Sequence, residues 1–141
     1  MYDHYQFPKS PNVWDKLEGK PEYPKIWAGE SLKEDPDLIS MEWPSFFGCN
    51  SYADHEIGRV LDAIHMELYD PLVIYTSDHG EAFHSHCLHA KGPAAYGEMA
   101  RVPLIIKGGA AGAAAMPPVS HINIAPAILE YMGIPIPKIA G

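Results

Sequence analysis

The residues best equipped for chemistry lie in one stretch, Pro71 to Lys91, PLVIYTSDHGEAFHSHCLHAK. Asp78 offers a hard carboxylate oxygen and His79 an imidazole nitrogen, and both are good metal ligands. His84, His86 and His89 follow, then Lys91, whose ammonium suits an anion. Three imidazoles and an ammonium in so short a segment are poorly explained as core filling. Two ligands are too few for a closed metal site, since zinc takes about four donors and calcium about six to eight. Further ligands must come from elsewhere. Asp3, His4 and Asp15 are available, but nothing in their spacing nominates them. His84, His86, Cys87 and His89 could in principle build a separate zinc site. Their spacing fits no strong zinc pattern, and closely alternating residues rarely converge on one ion, so histidines without a metal role are the favoured reading.

The elements around this stretch must position it. Leu72 to Thr76 is a continuous apolar, β-favouring run, which predicts a strand covered on both faces, as in a parallel sheet. In open α/β sheets ligands bind beyond the carboxyl ends of the strands, where Asp78 and His79 emerge. Upstream, Ser51 to Tyr69 predicts a helix with Ile57, Val60, Leu61, Ile64 and Leu68 on one face. Ser51 and Asp54 suggest a capping box, and Asp70-Pro71 an end. Ala94 to Met99 predicts one or two helical turns, and Arg101 to Ile106 a second buried strand. Gly108 to Ala115 reads as a flexible surface connection. A last helix is expected from about Ile124 to Met132, with Asn123 as N-cap, Pro126 in the first turn and Gly133 just past its end. Met1 to Trp43, rich in proline and aromatic residues, reads as an extended loop wrapped over a larger body, with no helix before Ser31. A short helix over Leu38 to Phe47, broken near Pro44, is expected next. The 141 residues form one α/β unit: a loop region over 1–45 and an α/β portion over 46–141.

A net charge of −8 argues against nucleic acid as partner. The two cysteines, Cys49 and Cys87, imply neither a disulfide framework nor a structural zinc ribbon. No apolar run reaches the roughly 18 residues of a membrane span and no signal peptide opens the sequence, so a cytoplasmic setting is favoured.

Several stretches share a pattern with one family. SDHGEAFHSHCLHAKG resembles the sulfatase motif S-D-H/N-G-E-x-x-G-x-H-G-x-x-x-K-G, and YGEMARVPLIIKGG resembles that family's Y-E-x-x-x-R-V-P-L-I. YADHEIGRVLDAI is similar to its V-D-x-x-I-G-R-x-L-D-A-L helix, and VSHINIAPAILEYMGIPIP to its V-S-x-x-D-x-x-P-T-x-L-x-x-x-G-I-x-x-P. NVWDKLEGKPEY has the look of the loop preceding them. The resemblance implies a partial alkaline-phosphatase/sulfatase-like fold, a mostly parallel sheet flanked by helices. It implies one divalent cation, calcium before manganese, with Asp78 and His79 as ligands. Lys91 falls on the lysine that contacts the sulfate group, and His86 on the motif histidine, so both are expected to be catalytic. The implied partner is a small sulfated substrate.

The departures are specific. His84 and Cys87 stand where the motif has glycines, and Asn123 where it has Asp. His79, rather than Asn, also occurs in related phosphonate and phosphate ester hydrolases. The family nucleophile is a formylglycine made from Cys or Ser in C-x-P-S-R, yet neither Cys49 (CNSYA) nor Cys87 (CLHAK) has that sequel. The family's amino-terminal Asp-Asp metal pair and its carboxyl-terminal subdomain are not found either. The expectation is the second half of a sulfatase catalytic domain, inactive without its amino-terminal half. A non-catalytic anion- or metal-binding remnant is the rival from another class.

Overall fold

The computed structural model describes residues 2–67, 71–92, 94–108 and 118–137. Within them β1 (Val73–Thr76) and β2 (Leu104–Lys107) pair antiparallel, with Val73 opposite Lys107 and Thr76 opposite Leu104. The mostly parallel sheet expected from the apolar runs is therefore not seen among the described residues. A parallel pair needs a crossover, usually a full helix. Here residues 77–103 return through a 3-10 turn at Ser85–Cys87 and the single turn α3 (Gly97–Ala100). Nor are both strands fully covered: Ile105 is 61% exposed and Ile106 53%. What the return does achieve is to place everything between β1 and β2 at one end of the pair, and Asp78, His79 and Lys91 all lie in that connection.

The first third is more ordered than its prolines suggest. A 3-10 turn occupies Pro11–Trp14, where Ser10 Oγ accepts the Asn12 N–H (3.2 Å). Glu22–Ala28 forms α1, contrary to the expectation of no helix before Ser31. Pro24 sits in its first turn, where a missing N–H goes unneeded. Further 3-10 turns cover Gly29–Lys33 and Pro36–Leu38.

Next, α2 runs unbroken from Pro44 to Glu67. Pro44 opens this helix rather than breaking an earlier one, for the same reason. Ser51 is consequently mid-helix and caps nothing; its hydroxyl pairs with that of Tyr2. The early start rests on aromatic packing: Phe7 stacks on Phe47 (4.6 Å between centroids) and on Phe83 of the central loop (4.8 Å). Of the expected apolar face, Val60 is 57% and Leu61 38% exposed, and Leu68 lies outside the described residues, as does the Asp70 break.

Ile124–Tyr131 forms α4, entered through a 3-10 turn at His121–Asn123. Asn123 does not cap in the expected sense; its Oδ1 accepts the Ser120 N–H one turn back (3.1 Å). The far end is as expected. Gly133 takes φ 68°, its N–H reaches Glu130 O (3.0 Å), and Ile134 N–H reaches Leu129 O (2.8 Å). That is a Schellman ending. Of the flexible connection expected over 108–115, all but Gly108 lies outside the described residues.

The core lies between the first third and the central loop. Leu17 and Ala28 pack with Ala82, Cys87, Leu88 and Met99, and Trp27, Leu32, Ala94 and Tyr96 close the cluster. Leu17 and Leu88 are fully buried, each stabilising the pair of segments by about 1.5–3 kcal/mol. The loop that holds the candidate residues is thus clamped from one side by residues 13–32. No helix among the described residues is long and apolar enough to cross a membrane.

Candidate active site

β1 ends at Thr76, and the backbone turns at once. Ser77 Oγ donates to His79 O (2.9 Å), and the His79 N–H donates to Asp78 Oδ1 (2.9 Å). That bond holds the Asp78 carboxyl below its ordinary range; burial opposes it, while the charges of His79 and Lys91 lower it further. The side chain itself is 80% exposed. His79 Nδ1 lies 2.8 Å from Gly80 O. A carbonyl only accepts, so Nδ1 carries the hydrogen and neutral His79 presents the lone pair of Nε2. Nε2 stands 3.3 Å from Asp78 Oδ2. The two atoms are near enough to share a proton or to ligate one cation.

Gly80 is required by packing. Its N–H bonds Met99 O (2.8 Å), and a Cβ there would overlap the Glu98 carbonyl oxygen. Asp78, His79, Lys91, Gly92 and Met99 together line an open hollow of about 410 Å³. Gly92 lies so close to the Trp27 ring that a Cβ would meet it at 2.6 Å, which seats the Lys91 backbone against α1.

His86 stands apart from that hollow. Its Nδ1 meets Asp15 Oδ2 at 2.7 Å, its Nε2 lies 3.7 Å from Glu98 Oε1, and its ring stacks on Tyr96 at 4.1 Å. The hydrogen bond from His86 holds the Asp15 carboxyl below its usual value against the opposing effect of burial. Glu98 is raised by burial but lowered more by the amide of Asn12 (2.8 Å) and further hydrogen bonds, and ends below its usual value. Three of the four residues singled out from the sequence share one hollow, and the fourth ties the loop to the first third. Asp15 and Glu98 had no signal in their spacing; both act across long sequence distances. His84 and His89, left without a role by the sequence, lie side by side (4.2 Å between rings). Burial holds the His84 imidazole below its usual value, aided by His89 and opposed by Glu34.

The glycines missing from the loop have a conformational meaning. His84 takes φ 64° and Cys87 φ 55°, both left-handed, where a glycine fits without cost. Phe83, His86 and Ala90 are left-handed too. Left-handed L-residues in such number are held by surrounding structure and concentrate at functional loops.

A strand releasing an Asp-His pair into a hollow that a lysine shares gathers, in an α/β chain, groups that could hold a cation and an anion. Residues 9–134 match the sulfatase family. The chain is 35% identical over 140 residues to the uncharacterized sulfatase YidJ of Escherichia coli (strain K12), covering 98% of this chain and 28% of that protein. It is 31% identical over 98 residues to the choline-sulfatase of Rhizobium meliloti (strain 1021), covering 67% and 19%. To human arylsulfatase K it is 33% identical over 97 residues, covering 66% and 18%. No solved structure matches significantly. The chain belongs to the sulfatase family, and it spans little more than a quarter of the length of the first of these relatives.

Proposed function

We propose that this chain furnishes the cation- and anion-holding part of a metal-dependent sulfuric ester hydrolase acting on a small sulfated substrate. One observation carries the reading: Asp78, His79 and Lys91 line a single hollow. Asp78 Oδ2 and His79 Nε2, 3.3 Å apart, would hold a divalent cation between them. Two donors are part of a shell, so the remaining ligands come from other residues. Calcium is favoured over manganese by the family pattern. When bound, the cation supplies positive charge against the oxygens of the ester. Lys91 binds and orients the anion from the same hollow. His79 is kept in its ligand tautomer by Gly80 O, an outer partner of the kind that tunes metal ligands. His86 positions the loop rather than touching the anion, through Asp15 and Glu98.

The attacking group is outside this set. Cys87 is buried at 3% exposure and burial raises its thiol, and neither cysteine is followed by Pro-Ser-Arg. Ester hydrolysis needs an in-line nucleophile and a proton for the leaving oxygen. We therefore expect these 141 residues alone to bind an anion without turning it over, the nucleophile coming from another part of a larger catalytic domain. The uncovered sides of β2 at Ile105 and Ile106 and of α2 at Val60 are what elements of a larger α/β fold would leave open, and so support this view. Sulfate, rather than phosphonate, is favoured because all three relatives named above are sulfatases by name.

Calorimetry with sulfate and methylphosphonate, with and without calcium, tests the reading. Calcium-dependent sulfate binding, lost in Lys91→Ala and in Asp78→Asn, is expected. Sulfate binding indifferent to both substitutions would sink the assignment, and robust aryl sulfate turnover by the isolated chain would sink the claim that it lacks its nucleophile.

A further inference from the structure

The hollow at Asp78 is not the only place where metal-ligating side chains meet. Glu34, His84 and His89 each offer one ligand atom, and these atoms all lie within 4.8 Å of one another. Two of the three come from the central loop and the third from the far end of the Gly29–Lys33 turn, so the convergence is made by the fold and not by sequence spacing. The left-handed turn at His84 (φ 64°, ψ 1°) stands at the head of the turn that brings its ring beside His89, edge to face. The other side of the His84 ring is backed by Trp43 (5.5 Å, 28° between planes). Its Nδ1 is buried with no hydrogen-bond partner among the described residues, a polar atom left unsatisfied at a cost unless something binds there. The Glu34 carbonyl is taken by Lys16 Nζ (2.7 Å), while its carboxylate makes no hydrogen bond among the described residues.

We propose that Glu34, His84 and His89 form a second metal site, distinct from the Asp78–His79 hollow, which takes zinc or a neighbouring late first-row divalent cation. Two imidazoles and one carboxylate are a borderline donor set that suits zinc and leaves a fourth position for water. They offer too few oxygens for calcium. Around a tetrahedral zinc the ligand atoms stand about 3.4 Å apart, given bond lengths of about 2.1 Å. Closing the present spread to that requires Glu34 and His89 to move, and both are exposed. Bound metal would staple the segment before α2 to the loop that ends in Lys91. The site is independent of the reading of the Asp78 hollow.

Calorimetric titration of the chain with zinc, in excess calcium, tests it. One zinc per chain with micromolar or tighter affinity is expected, together with a rise in melting temperature that magnesium does not reproduce. His89→Gln and Glu34→Gln each remove an exposed ligand and should weaken zinc by more than the roughly tenfold that even an outer partner is worth. Asp78→Asn should leave zinc binding unchanged. No zinc binding at micromolar concentrations overturns the proposal, as does binding that survives the Glu34→Gln/His89→Gln pair. Loss of zinc in Asp78→Asn also overturns it, because it would move the ion to the other hollow.

Discussion

His86 Nδ1 lies 2.7 Å from Asp15 Oδ2 across 71 positions of sequence. The contact joins the 3-10 turn at Pro11–Trp14 to the turn at Ser85–Cys87. On its other side the same ring faces Glu98, itself held by Asn12. One imidazole between two carboxylates therefore fixes the middle of the loop whose two ends carry Asp78, His79 and Lys91. The core cluster around Leu17 and Leu88 packs the same two segments together.

That arrangement makes stability acid-sensitive in a definite window. The folded carboxyl of Asp15 sits below its ordinary value of 3.8, and that of Glu98 below 4.5. Groups depressed in this way stabilise the fold fully above their ordinary values and lose that contribution as pH falls through the folded ones. Denaturant midpoints should begin to fall below about pH 6.5, where unfolding lets the depressed His84 imidazole take up its proton, and fall further below about pH 4. Asp15→Asn should flatten part of that fall, leaving the share due to Glu98. Asp15→Ala, which also removes the acceptor for Leu17 N–H (2.8 Å), should cost about 1.5–3 kcal/mol near neutrality. A wild-type midpoint insensitive to acid would contradict the linkage.

Gly80 should tolerate no side chain. Alanine there drives Cβ into the backbone of Glu98, which cannot rotate away. Overpacking against backbone should cost Gly80→Ala at least about 2 kcal/mol and disturb both the Asp78 hollow and the Glu98–His86 contact. Unchanged denaturation and anion binding in that variant would show that the approach of the two segments is looser than described.

Much of the hollow was legible because its signals are local. The apolar run of β1, the Asp-His pair after it, the glycine behind and the lysine beyond all sit within one short stretch, and the structure gathers Asp78, His79 and Lys91 in one hollow. Gly133 was legible for the same reason, since a helix ending is decided by a few neighbouring residues. What could not be read depends on distant partners. Pro44 looks like a breaker until Phe47 is seen stacking on Phe7. The prolines of the first third suggest an open loop until Leu17 and Ala28 are found in the core. Strand direction depends on what the connection contains, which the apolar runs do not encode. Glu34 gives no hint of His89 at a distance of 55 positions, and Asp15 none of His86.

The two thiols should separate cleanly by reactivity. Cys49 is exposed on α2, whereas Cys87 is buried beneath Val13 and Asp15, and burial raises its thiol. Thiolate is the reactive form, so a disulfide reagent should modify one thiol quickly and the second only on unfolding. Cys49→Ser should abolish the fast phase. A fast phase that persists in Cys49→Ser would place Cys87 within reach of solvent.

The left-handed residues of the loop offer a stabilising substitution beside the site. Ala90 takes φ 56°, is exposed, and gives its carbonyl to Ala82 N–H (3.1 Å). An L-residue in that conformation costs about 1–2 kcal/mol, which glycine avoids. Glycine gives back about 0.5–1 kcal/mol through the freer unfolded chain. Ala90→Gly should therefore stabilise the fold by roughly 0.5–1 kcal/mol. His84→Gly, though it relieves a similar φ, should fail to do so, because it discards the stacking on Trp43. Urea denaturation of the two variants checks the contrast. A destabilised Ala90→Gly, or a His84→Gly that gains as much, would mean that side-chain packing and not backbone conformation decides the course of this loop.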